Sequence, residues 1–202
     1  MKKCDCPEGY VVLLKKLATG KSVLWLFLLT MAVYSLMLFW SMPRVLAGAP
    51  EMRLFDMSPS GYSYSQALSL LGALGKTGRA AYLFPQLALD FIYPGLFAAC
   101  YSLMLVWLFS RRFPLASPVF HLALLPLLAG LADYTENVLI IRMITGFPDI
   151  SPGLVSAASA ATVLKSILTS ICLTAVLCGS LLLLKKRTVP PDQGGARGSA
   201  SR

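Results

Sequence analysis

Residues 83–109 read LFPQLALDFIYPGLFAACYSLMLVWLF and are followed, after Ser110, by Arg111-Arg112. Apart from Gln86 and Asp90, the run carries no charged or amide side chain. An α-helix rises about 1.5 Å per residue and needs roughly 20 apolar residues to cross the hydrocarbon of a bilayer. A run of this length therefore reads as a transmembrane helix. Working outward, residues 22–42, 118–141 and about 157–184 meet the same requirement. The fold class expected is all-α: a polytopic membrane protein with four transmembrane helices in one bundle.

Composition agrees. Of 202 residues, 56% are hydrophobic and 13% charged, against about 25% charged in soluble domains, and the mean hydropathy is +0.69. A soluble globular protein is excluded. The 18 Lys and Arg against 9 Asp and Glu give a net charge of +9, a balance also seen in nucleic-acid-binding proteins. Here the basic residues stand at the ends of apolar runs, as in membrane proteins. The expected partner is thus the lipid bilayer, with no nucleic acid.

Twelve of the 18 basic residues (Lys2, Lys3, Lys15, Lys16, Lys21, Arg111, Arg112, Lys185, Lys186, Arg187, Arg197 and Arg202) fall on one side of a four-span arrangement. Arg44, Arg53, Lys76, Arg79 and Arg142 fall on the other. The positive-inside rule places both termini and the Arg111-Arg112 turn in the cytoplasm. Residues 1–21 then form a basic cytoplasmic segment whose stretch 10–17 is an amphipathic surface helix. Residues 22–187 form the membrane domain, and the Pro-, Gly- and Ser-rich residues 188–202 a disordered tail. A rival reading cleaves the first span after Ala47-Gly48-Ala49. Against it stand the length of the apolar run and Pro50 just after the cut.

The long outer loop, residues 43–82, contains Phe55-Asp56-Met57-Ser58-Pro59-Ser60-Gly61-Tyr62, which is turn chemistry with a left-handed Gly61. Ser63 and Gln66 form a capping-box pattern. Ala67, Leu68, Leu70, Leu71 and Leu74 give a short amphipathic cap helix, stopped by Gly75 and Gly78. It is either a lid or a space-filling interfacial helix.

Ionisable residues within spans are functional candidates by default. Asp90, Asp133 and Lys165 each lie 20 or 21 residues from an inner basic anchor, hence about 30 Å from the cytoplasmic edge. One level can serve one site. Asp133, Glu136 and Asn137 share a helix face at i, i+3 and i+4; Gln86, Asp90 and Tyr93 form a second stripe, and Thr162, Lys165, Thr169 and Cys172 a third. Asp90, Asp133 and Glu136 are candidate acid–base residues; Lys165, Asn137, Arg79, Tyr93, Asp56, Tyr62 and Gln86 are candidate ligand contacts. The alternative is structural: Asp–Lys and Asn bonds that pin the helices together near a forgiving interface.

Other chemistry is thin. Cys4-x-Cys6 has too few ligands for structural zinc and is either inert or a lipidation site. Cys100, Cys172 and Cys178 read as small core residues. No C-x-x-C occurs, and His121 stands alone, near the inner end of the third span, so a His-based metal site or a Ser-His-Asp triad is excluded at the outer site. There is no phosphate-binding glycine motif, and no cofactor is expected. No internal repeat supports an inverted-repeat transporter.

The motifs Asp56-x-x-Pro59-x-Gly61-Tyr62, Leu74-Gly75-x-x-Gly78-Arg79 and Leu131-Ala132-Asp133-x-x-Glu136-Asn137 resemble those of a group of uncharacterised four-span bacterial membrane proteins. The resemblance covers about residues 55–142. It implies the four-span fold and a bacterial inner membrane, marks Asp56, Gly61, Tyr62, Arg79, Asp90, Asp133, Glu136 and Asn137, and supplies no chemistry. Three functions remain open. One is a site that binds or processes a small amphiphile or lipid. A second is proton- or cation-coupled transport, for which the spans below the charges offer few polar groups. The third is a non-catalytic scaffold that docks through Ala157, Ala158, Ala160 and Ala161.

Overall fold

The computed structural model describes residues 6–184, with side chains from residue 12 onward. The Cys4-x-Cys6 pair's side chains, the first and last basic clusters and the tail 188–202 lie outside the described side chains. Helix α1 (Cys6–Leu17) carries Lys15 and Lys16 in its last turn, where cations favour the helix dipole. Thr19 caps α2 (Gly20–Leu36) by accepting the Ser22 N–H at 3.1 Å. Helical structure then continues through a π-helical turn, Met37–Ser41, into α3 (Met42–Val45) and a closing turn, Leu46–Gly48.

Helix α4 (Tyr64–Ala81) begins in a capping box: Gln66 N–H donates to Ser63 Oγ, and Ser63 N–H to Gln66 Oε1 at 2.7 Å. Its Ala67, Leu70, Leu71 and Leu74 share one buried core with Met42 and Val45, with Ile140, Met143 and Ile144 of the sixth helix, and with Val155 of the seventh. It therefore caps one end of the bundle. Gly75 does end the first helical piece, with a non-helical φ of 60° and ψ of −171°, and a second piece runs on across this kink to Ala81. Gly78 does not stop it but sits beneath the Val45 carbonyl, where a Cβ would approach to 2.9 Å. A second bend at Tyr82–Gln86 leads into α5 (Leu87–Phe109). A 3₁₀ segment, Pro118–Leu124, precedes α6 (Leu125–Gly146), and α7 (Pro152–Leu184) ends the described chain.

Four helical stretches, Gly20–Gly48, Tyr64–Phe109, Pro118–Gly146 and Pro152–Leu184, are long and apolar enough to cross a membrane. The chain is an all-α, multi-pass membrane protein, each stretch extending past at least one end of the apolar run that announced it. Leu24, Trp25, Phe39, Leu131 and Leu177 are exposed on its flanks, as lipid-facing residues must be.

Helix α5 is the hub, packing on α2, α6 and α7. At its crossing with α6, a Cβ on Gly130 would stand 3.1 Å from the Pro94 carbonyl, so a larger residue would push the two backbones apart. Two apolar cores result. One, below the cap, joins Met42, Leu71, Tyr82, Leu87, Ile140 and Val155. The other, at the far end, joins Phe97, Cys100, Leu105, Phe109, Phe120 and Cys172. Between them α5, α6 and α7 contribute Asp90, Asp133, Glu136, Asn137 and Thr162, all buried.

Candidate functional site

Helix α6 presents Asp133, Glu136 and Asn137 on one face, as the i, i+3, i+4 spacing requires. Lys165 of α7 meets two of them. Its Nζ lies 3.2 Å from Asp133 Oδ1 and pairs directly with Glu136 Oε2. One turn earlier, the Thr162 hydroxyl stands 2.6 Å from Glu136 Oε1, to which it donates, and 3.1 Å from its own i−4 carbonyl, Ala158 O. A buried charge needs partners on all sides, and Glu136 receives a cation and a hydroxyl.

Asn137 solves a different problem. Pro94 stands inside α5, and proline has no N–H to offer the carbonyl four residues before it. That carbonyl belongs to Asp90. Asn137 Nδ2 donates to it at 2.9 Å, so α6 supplies the bond that α5 cannot make.

A cavity of about 440 Å³ opens beside this cluster. Its back wall is α5 and α6, with Asp90, Tyr93, Phe97, Tyr101, Ala129 and Asp133. Its two sides are α2 and the turn that follows it, through Met31, Tyr34 and Met37, and α7, through Lys165, Thr169, Ser170 and Leu173. Asp56, Met57 and Pro59 close it toward the cap. Tyr34, Ser170 and Leu173 are exposed, so the mouth lies between α2 and α7, on the flank of the bundle. Asp90 is only 4% exposed and lines this cavity. Among the described residues its carboxylate has no hydrogen-bond or ion-pair partner. Both amide atoms of Gln86 and the Asn137 Oδ1 are likewise buried without partners.

The loop above the cavity is built by the expected turn. Gly61 N–H donates to Ser58 O at 2.8 Å around Pro59, and Gly61 has φ 81°. The chain is then tied to α7, where Tyr62 N–H donates to Ser159 Oγ at 2.9 Å. The Tyr62 ring packs on Phe55, with centroids 4.6 Å apart. Burial pushes its phenol well above the usual tyrosine range; Thr162 and Lys165 oppose the shift, Glu136 and Asp56 add to it. Tyr62 is therefore a neutral hydroxyl. Asp56 accepts the Tyr82 hydroxyl at 2.8 Å.

Of the residues singled out in the sequence, Asp90, Asp133, Glu136, Asn137 and Lys165 come together, and Asp56 and Tyr93 join them at the cavity. Gln86 lies one turn above Asp90 on the same side of the chain. Arg79 is not brought there: its Nη1 donates to Leu71 O at 2.6 Å and its guanidinium lies over Phe147, so it braces the bend in α4. His121 is exposed, its Nδ1 2.9 Å from the Pro118 carbonyl. Three residues were not among the candidates. Thr162 was signalled by its place on the Lys165 stripe. Tyr82 and Ser159 carried no signal, because their partners lie in a loop whose path the sequence does not give.

Comparison with protein-family models, with curated proteins and with solved structures finds no match for this chain.

Proposed function

We propose that this integral membrane protein takes a small amphiphile from the bilayer into the α2–α7 cavity and holds its polar head at Asp90. The observation that carries the reading is a buried carboxylate without a partner among the described residues, facing a cavity that is apolar along α2 and opens on the bundle flank. Leaving a buried charge unpaired is costly, and a ligand group that pairs with it recovers that cost. A volume of about 440 Å³ lies within the range of small-molecule sites. In this reading Asp133, Glu136 and Lys165 form a fixed charged wall, and Asp90 contacts the ligand and can give or take a proton from it. The positive-inside bias puts the cavity in the outer half of the membrane with both termini in the cytoplasm, and the motif resemblance points to a bacterial inner membrane.

Transport is less well supported. A proton or cation route to the far face would run through Phe97, Cys100, Leu105 and Phe109, which form a continuous apolar core. The scaffold reading keeps only half of its small-residue face: Ala158 and Ala161 are buried within the chain, while Ala157 and Ala160 are exposed.

The test is extraction of the protein in polymer-bounded native membrane discs, followed by mass spectrometry of the retained small molecules. Wild type should retain a defined amphiphile that Thr169→Trp, which fills the cavity, loses. An identical lipid profile in both would sink the reading.

A further inference from the structure

The surroundings of Asp90 specify the head group that the cavity accepts. Lys165 is committed to Asp133 and Glu136, so its positive charge is already matched by two carboxylates. Asp56 and Asp90 add two more acidic groups to the cavity wall, so ionisation of Asp90 leaves the site with a surplus of negative charge. An anionic head would meet that surplus at contact distance. A neutral hydroxyl would hydrogen-bond to Asp90 and leave its charge uncompensated. A cation removes both difficulties.

The adjoining wall is suited to the same group. Tyr34, Tyr93, Phe97 and Tyr101 form a chain of rings down the cavity, with successive centroids 5.6, 6.0 and 4.4 Å apart. Ring faces attract organic cations, quaternary ammonium groups above all. A metal ion fits less well: among the described residues no group of three His, Cys, Asp or Glu is placed to hold one. Beyond the rings, Met31 and Leu173 give a flexible apolar lining for a chain.

We propose that the ligand is an amphiphile whose head is a protonated or quaternary amine, seated between the Asp90 carboxylate and the Tyr93 ring, with its alkyl chain leaving through the α2–α7 mouth. This rests on the amphiphile reading above and adds the sign and kind of the head group.

The experiment uses the full chain in nanodiscs of phosphatidylglycerol, which brings no amine. Three photoactivatable probes share one dodecyl chain and differ in the head: trimethylammonium, hydroxyl and carboxylate. Labelling of the cavity peptides that hold Met31, Tyr93 and Thr169 is normalised to labelling of lipid-facing Leu177 and Leu181, which corrects for different partitioning into the disc. The expected result is an ammonium probe that labels the cavity at least about tenfold more than the other two, a preference of about 1.4 kcal/mol. Asp90→Asn should abolish that preference and leave the hydroxyl probe unchanged. The three-probe comparison in the wild type stands without any variant. If Asp90→Asn does not fold, Tyr93→Leu, which removes a ring and keeps the charge, should cut ammonium labelling alone. Equal labelling of the cavity by all three heads would overturn the amine assignment while leaving an amphiphile site in place. Absence of cavity labelling by every probe would overturn both. Competition by added phosphatidylethanolamine would identify the amine as a membrane lipid head; ammonium labelling that resists this lipid and yields to a free alkylamine would identify it as a lipophilic amine.

Discussion

Two buried charges of opposite sign have opposite standing in this molecule. Lys165 is fully used, bonded to Asp133 and Glu136, whereas the Asp90 carboxylate has no partner among the described residues. Removing one member of a buried ion pair strands the other, at a cost of about 3–5 kcal/mol. Lys165→Met should therefore lower thermal stability strongly in detergent or nanodiscs, and adding Glu136→Gln should restore part of it, because contacting charges are not additive. Asp90→Asn removes an acidic group for which no described residue provides a partner, so its melting temperature should equal or exceed the wild type, as happens where a site holds a group for function at the expense of stability. A melting curve in which Asp90→Asn falls as far as Lys165→Met would make Asp90 a structural residue. The sequence announced both residues, since ionisable side chains in apolar runs stand out. It gave no sign of which was paired, because pairing depends on how α7 is rotated against α6.

At the scale of elements, the α5–α6 contact rests on an exchange between a proline and an asparagine. Pro94 leaves the Asp90 carbonyl without its helical donor, and Asn137 provides one. Asn137→Leu should cost about 1–3 kcal/mol, the penalty for a buried acceptor left unsatisfied. Pro94→Ala in the same chain returns an N–H to α5 and should recover much of that loss. Denaturation of the wild type, the two single variants and the double variant measures the coupling, and simple additivity would show that the two residues do not serve one carbonyl. The loop over the cavity depends on Gly61 in the same local way. Its φ of 81° resists a β-branched side chain, and a Cβ there would lie 2.6 Å from Ser159 Oγ. Gly61→Val should lift residues 55–62 off α7 and expose them to protease, at a stability cost of about 1–3 kcal/mol. Unchanged cleavage of that loop would count against the turn. The positive φ of Gly61 was legible from Ser58-Pro59-Ser60-Gly61, and so was the end of the first helical piece at Gly75. Gly78 read as a second stop and is instead a close approach, where the Val45 carbonyl leaves no room for a Cβ, which a local sequence pattern does not reveal.

For the whole molecule, apolar run length foretold four membrane-crossing helices, because the bilayer is a solvent of fixed thickness. It did not foretell the gap between α2 and α7. In lipid, a helix face turned to a neighbour and one turned to an acyl chain are equally apolar, so the sequence pattern does not reveal which helices touch. What the pattern does encode is sidedness, through charges rather than apolar residues. The capped end carries Arg44, Arg53, Lys76, Arg79 and Arg142, and the turn at the other end carries Arg111 and Arg112. Arg112 donates through Nη2 to the Leu183 carbonyl at 3.0 Å, and the Arg111 guanidinium lies 3.8 Å over Trp107. The ends of α5 and α7 therefore meet at one membrane boundary. Lys76 and Asp149 are exposed at the opposite boundary. In a cysteine-free background, an impermeant maleimide added to intact cells should label Lys76→Cys and Asp149→Cys. It should reach Arg111→Cys, an exposed position that avoids the Leu183 contact, only after the membrane is opened. Labelling of Arg111→Cys in intact cells would reverse the orientation and move the cavity to the cytoplasmic half of the bilayer. Labelling of Lys76→Cys and Asp149→Cys from opposite sides would break the four-helix arrangement itself, because α4 and the α6–α7 turn pack in one apolar core and must share a face of the membrane.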